Sequence, residues 1–294
     1  MKKSVILLML LSFTLGVQAQ LLWKISGKDL PQSSYIFGSH HVAPMSILDS
    51  IPGIKQAMSE TKQLYGEIIM EDMMKPAVMQ KMQKAMILPG DTTLSLLYSE
   101  SRFDSISAVF KDMMGVDLVM LDKMSPIALS TQLSVLLSMK SMKGYNPKEQ
   151  LDTWFQKNAK ENGKKLGSLE TIDEQIKILY QSLTLERQAE MLYYMVANID
   201  EAEKITRKLG EAYMKQNLVD VKDLTETKTN TPYDSTPEEL DLMVYNRNAN
   251  WSKKMPAIMK DSPTFFVVGA GHLPGDKGVL NLLKQLGYTL EPIR

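Results

Sequence analysis

Tyr35-Ile36-Phe37-Gly38-Ser39-His40-His41 and Phe266-Val267-Val268-Gly269-Ala270-Gly271-His272 are built alike, each an apolar run that ends in Gly-x-x-His. A short apolar run bounded by glycine reads as a buried strand. Glycine lets the backbone turn sharply or approach a neighbour closely as it leaves a sheet. The histidine then projects at the sheet edge, where open α/β sheets place ligand sites. The two segments lie more than two hundred positions apart, and with His40 they hold all three histidines of the 294-residue chain. If both histidines serve one site, the two ends of the chain must share one sheet.

Working outward, residues 21–25 and 34–37 are apolar runs separated by Gly27, Asp29 and Pro31, the pattern of a β-hairpin with a longer loop. Residues 52–62 carry Ile54, Ala57 and Met58 at helical spacing and lead into a strand-like run over 63–70. From residue 75 to about 213 the texture is helical, with a short strand expected within 164–170, helix over 181–215 and a polar loop over 225–237. A helix over 240–258, a strand over 264–268, a helix over 275–286 and a strand near 288–290 close the chain. The predicted fold class is therefore α/β (α+β). A mixed sheet is formed by N- and C-terminal segments, with a large helical region inserted over approximately 75–240.

The first nineteen residues place Lys2 and Lys3 before an apolar run and end in Val17-Gln18-Ala19, the small-residue signature of signal-peptide cleavage before Gln20. The expectation is an exported protein, periplasmic or extracellular, whose residues 20–294 form a single domain. No cysteine is present, which excludes disulfides, thiol catalysis and cysteine zinc sites. Lysine plus arginine and aspartate plus glutamate each total 34, so the basic excess of a nucleic-acid binder is missing. No later apolar run has the length of a membrane span. The 22 methionines read as gap-filling core residues, with a groove for a flexible or apolar partner as the alternative.

A single histidine at a strand end is ordinarily a hydrogen-bonded structural residue. Two of them on one sheet edge can bind a divalent transition metal if an anion joins them. Glu67 is the leading anion, because it interrupts an apolar segment where an unpaired carboxylate is costly. Its alternative role is a structural ion pair with Lys24 or Arg247. Glu170 is a second acidic candidate, or else a carboxylate favoured by the N-terminus of the helix that follows.

These residues carry a resemblance. Leu22-Trp23-Lys24-Ile25, Gly38-Ser39-His40-His41-Val42, Glu67, Leu169-Glu170-Thr171 with Glu174-Gln175, Asn246-Arg247-Asn248 with Trp251, Val268-Gly269-Ala270-Gly271-His272-Leu273, Gly278 and Gly287-Tyr288 together resemble the TraB/GumN (TraB/PrgY/GumN) family, in its order and over essentially the whole mature chain. The resemblance implies a Tiki-like metal-dependent protease acting on a peptide or protein, with manganese or cobalt, or else zinc, held by His41, His272 and Glu67. It also takes in members associated with peptide signals, which is compatible with either cleavage or sequestration. The first motif departs from the family's Gly-Thr-Ile-His by carrying Ser39 and His40, and family register selects His41 as the ligand.

On this reading the ion lowers the pKa of water from about 16 towards about 7 and polarises the scissile carbonyl. Glu170 or His40 is the expected general base, and Arg247 is placed to stabilise anionic charge. Ser39 as a nucleophile is disfavoured, since its neighbour His40 points to the opposite face of an extended strand. The rival from another class is a non-catalytic peptide- or ligand-binding protein using the same cleft.

Overall fold

The structure, a computed structural model, describes residues 20–232 and 234–293, and the predicted signal segment 1–19 lies outside the described residues. Six strands form a single mixed sheet: β1 (Leu22–Ser26), β2 (Ser34–Ser39), β3 (Gln63–Gly66), β4 (Lys165–Ser168), β5 (Thr264–Gly269) and β6 (Thr289–Pro292). Their order is β4-β3-β5-β2-β1-β6. The hairpin expected at the N-terminus is the antiparallel pair β1 and β2, with Leu22 opposite Phe37 and Ile25 opposite Ser34. The C-terminal strand β6 adds antiparallel to β1 at that edge. The other neighbours, β2 with β5, β5 with β3, and β3 with β4, run parallel.

The two ends of the chain therefore do meet, β2 lying beside β5 with Ser39 in register with Gly269. Every residue of β2 is buried, as are all but the last of β5, as expected for central parallel strands covered on both faces. On one face Phe155, from the helix Leu151–Glu161, packs its ring 5.0 Å from Phe37 and 5.4 Å from Phe265. Truncating a fully buried phenylalanine of this kind costs roughly 3–5 kcal/mol. A second apolar cluster, containing Phe110, Leu133, Leu137 and Leu192, sits among the helices Glu100–Met114, Pro126–Ser141 and Leu185–Ala197 of the inserted region.

The strand expected over 63–70 stops at Gly66. Gln156 captures the chain just beyond it, its Nε2 donating to the Ile68 carbonyl at 2.8 Å and its Oε1 accepting from Met70 N–H at 2.9 Å. Those bonds replace the ladder and turn the backbone into the 3₁₀ turn Met70–Met74. The helix expected over 181–215 is broken by Asn198, which departs from helical geometry between Leu185–Ala197 and Ile199–Met214. Glu170 is not in a first helical turn. The helix Ile172–Gln181 begins after it, with Thr171 as N-cap and Glu174 completing a capping box. Among the described residues no helix is long and apolar enough to cross a membrane.

Candidate functional site

The parallel strands β4, β3, β5 and β2 all end on the same side of the sheet, so the residues that follow them converge there. These are Glu170 after β4, Glu67 after β3, Ala270-Gly271-His272 after β5, and His40-His41 after β2. Open α/β sheets place ligands at this carboxyl edge. Close approach of the strand ends depends on two glycines. A Cβ on Gly38 would stand 2.9 Å from Leu273 Cδ1 and 3.0 Å from Ala270 Cα, and one on Gly66 would stand 2.7 Å from Gln156 Nε2.

Each Gly-x-x-His histidine is held by a side-chain oxygen at Nδ1. His272 Nδ1 lies 2.7 Å from Asn248 Oδ1, and Asn248 is itself oriented by donating through Nδ2 to the Lys277 carbonyl at 3.0 Å. His41 Nδ1 lies 3.1 Å from Asp152 Oδ2, while Ser39 Oγ donates to Asp152 Oδ1 at 2.9 Å. Nδ1–H is the donor in each pair, which directs the lone pair of a neutral ring to Nε2. Ser39 is thus committed to Asp152 and makes no Ser-His pair.

Of the two cations expected for Glu67, Arg247 is the one that pairs with it. Its Nη2 donates to Glu67 Oε2 at 2.5 Å and to Glu170 Oε1 at 2.6 Å, its Nε to Glu170 Oε2 at 3.1 Å, and its Nη1 to the Met243 carbonyl at 3.2 Å. The same Nη1 stands 3.1 Å from His272 Nε2. Glu67 Oε1 accepts from Gly269 N–H at 2.8 Å and lies 4.0 Å from His272 Nε2. Gln175 and Trp251 donate to this group, Gln175 to Glu67 and Glu170 and Trp251 to Glu170. Arg247 follows a π-helical turn, Asp241–Tyr245, a feature frequent at functional sites.

Burial opposes the charged form of Glu67, but its cationic neighbours and the Gly269 amide hold the carboxyl at about 2. Burial pushes His272 down to about 4, and His40 likewise, so both rings are neutral at pH 7. The Asp152 carboxylate has the opposite effect on His41 and raises it to about 9, although that side chain is 71% exposed at the mouth of the cleft. His40 lies under Tyr213, ring centroids 5.2 Å apart, and its Nδ1 accepts the Val42 N–H at 3.3 Å.

His40, His41, His272, Glu67, Asp152 and Arg247 line one cavity of about 490 Å³. Glu170 lies behind Arg247, on the edge of a neighbouring cavity that Arg247 also lines. Among the described residues no three His, Asp or Glu side chains close around a point tightly enough to hold a metal ion. Sequence reasoning missed Asp152. Its signal was polar Asp152 and Gln156 within the buried stripe Leu151, Asp152, Phe155, Gln156 and Ala159 of one helix.

No solved structure matches this chain. Among curated proteins it is similar to the Metalloprotease TIKI homolog of Nematostella vectensis, 21% identical over 321 residues, covering 89% of this chain and 65% of that protein. It is also similar to Metalloprotease TIKI1 of Danio rerio, 22% identical over 317 residues, with 92% and 62% covered. Metalloprotease TIKI2 of Danio rerio is 22% identical over 339 residues, with 92% and 60% covered. The match thus takes in 60–65% of the length of these relatives. The model of the TraB/PrgY/gumN family matches residues 21–292, from the first residues of the sheet to its last strand, and the chain belongs to that family.

Proposed function

We propose that the protein is an exported, metal-dependent hydrolase of peptides in which His41, His272 and Glu67 hold a divalent ion. The observation that carries this reading is the matched restraint of the two histidines. Asp152 and Asn248 occupy the Nδ1 sides, so a metal would bind through the Nε2 atoms, at His272 by displacing Arg247 Nη1, which stands 3.1 Å from that nitrogen. Two imidazoles and a carboxylate, with no thiolate in the chain, suit manganese or cobalt, and also zinc. The likeness to proteins named metalloproteases supports the same class of chemistry. Export rests on the signal-like residues 1–19, and residues 20–294 act as one domain.

When bound, the ion supplies a Lewis acid that polarises the scissile carbonyl and makes water nucleophilic near neutral pH. The chain's own residues do the rest. Asp152 and Asn248 fix the histidine rings, and Arg247 holds Glu67 against Glu170. Glu170 serves Arg247 rather than acting as a general base, because both of its oxygens accept from that guanidinium. His40 keeps its proton on Nε2, since Nδ1 accepts from Val42, and so donates to an anionic oxygen in the cleft rather than removing a proton.

Metal analysis and peptide-cleavage assays on residues 20–294, with His41→Ala and His272→Ala alongside, test this reading. Cleavage that requires a transition metal and is lost in both variants is expected. A wild-type protein that binds no manganese, cobalt or zinc sinks it. One observation favours a second reading, non-catalytic capture of a peptide. Arg247 already engages Glu67 and His272 Nε2, as in a finished ion-pair network. A protein that retains peptides but leaves them intact supports that alternative.

A further inference from the structure

The cleft has two unlike sides. Its floor is the polar strand-end cluster, where the charged groups are paired with one another. Its walls come from the inserted helical region and the turns that flank it: Val135, Leu179 and Leu209 from the helices, Met70 and Met73 on the 3₁₀ turn before them and Val244 on the π-helical turn after them. Among the described residues no lysine or arginine other than Arg247, and no acid other than Glu67 and Asp152, lines the cavity. The hydroxyls that reach the wall are turned onto their own helices, Ser138 donating to the Ser134 carbonyl at 2.8 Å and Thr225 to the Val221 carbonyl at 2.7 Å. A charged side chain seated against this wall, away from the polar floor, would lose its water without gaining an ionic partner.

Beside the floor, Gly271 lines the same cavity, and a Cβ built on it meets nothing within 4 Å. Bare backbone facing open space is what an extended peptide needs in order to lie close. An apolar wall along such a strip contacts its side chains.

We infer that the cleft selects a peptide segment carrying an uncharged aliphatic side chain, leucine, isoleucine, valine or methionine, which the wall formed by Met70, Met73, Val135, Leu179, Leu209 and Val244 receives. The inference deepens the hydrolase reading and rests on it only for the cleavage that follows binding. Methionine at two wall positions adapts to different aliphatic shapes, so the selection is for a class of side chain.

The test uses short fluorescein-labelled peptides identical except for a central Leu, Ser, Lys or Asp. Binding to residues 20–294 is read by fluorescence anisotropy, and cleavage separately by mass spectrometry without added metal and with manganese, cobalt or zinc. The Leu peptide binds about tenfold or more tightly than the Lys and Asp peptides. Leu179→Lys and, at a more exposed wall position, Val135→Lys reverse the order in favour of the Asp peptide. Two positions are used so that misfolding of one variant does not leave the matter open. Equal binding of all four peptides, or unchanged preference in folded forms of both variants, overturns the inference even if cleavage occurs. Aliphatic preference without cleavage supports it while removing the hydrolase reading, and no binding of any peptide overturns both.

Discussion

Arg247 Nη1 stands 3.1 Å from Nε2 of His272, and the far side of that ring, Nδ1, is tied to Asn248 Oδ1 at 2.7 Å. One helix, Asn246–Asp261, therefore grips the imidazole from both sides, while Trp251 of the same helix lies against its face, ring centroids 4.5 Å apart. The orientation of His272 is fixed before any ligand arrives.

Removing Arg247 leaves Glu67 and Glu170 facing each other without a counter-charge in a buried setting. Arg247→Ala is expected to destabilise the fold by about 3–5 kcal/mol, read by urea unfolding at pH 7. Arg247→Lys recovers only part of this, because an ammonium cannot reproduce the forked contacts to Glu170. Adding Glu170→Gln to Arg247→Ala costs less than the sum of the single changes, since the second removes a charge that the first has orphaned.

With three histidines in the chain, a proton NMR titration resolves each ring. His41 is expected to titrate at about 9 and His40 and His272 at about 4. Asp152→Asn removes the carboxylate that raises His41 and brings that titration down towards its ordinary value of about 6.5. An unmoved His41 titration contradicts the assigned contact.

Stability should fall on the acid side at an unusually high pH. His272 titrates near 6.5 when unfolded and at about 4 when folded, so the unfolded chain binds the extra proton between those values. The stabilisation is complete above about pH 6.5 and is lost as pH falls through about 4, amounting to roughly 3 kcal/mol for this ring. Glu67 adds a later loss, beginning below its unfolded value of 4.5 and complete below about 2. His41 acts with the opposite sign, its contribution present below pH 6.5 and lost as pH rises through about 9. His40, lowered to about 4 as well, adds a limb of the same sign, so urea midpoints measured from pH 7 to pH 4 on chelator-treated protein should show a loss that His272→Asn reduces by about half.

The strand ends also make a steric prediction. Gly38→Val places a side chain against Leu273 and the Ala270 backbone, and overpacking of this kind costs about 1–3 kcal/mol. Thermal unfolding should show the loss, and the shift should be larger than for Gly271→Val, where nothing lies within 4 Å of an added Cβ and the backbone is not left-handed.

The hairpin and the two Gly-x-x-His strands were legible because each is a local pattern with a fixed period, and the meeting of the chain ends followed from the duplication of that motif. Glu67 was legible as a carboxylate out of place in an apolar segment, and Arg247 as one of two cations able to answer it. The choice between Lys24 and Arg247 was not, because it depends on which helix lies over the strand ends. Asp152 was hidden for the same reason: its partners Ser39 and His41 are 113 and 111 positions away, and nothing near it in sequence announces them. Glu170 looked like a helix-start carboxylate until the helix was seen to begin after it, capped by Thr171.

The central claim is tested most directly by titrating manganese or cobalt calorimetrically into residues 20–294, wild type beside His41→Ala, His272→Ala and Glu67→Gln. The account predicts one ion per chain in the wild type and binding weakened at least tenfold in each variant, with urea unfolding showing the variants to be folded. A wild-type chain that takes up no transition metal, or folded variants that bind it as tightly as the wild type, would contradict it.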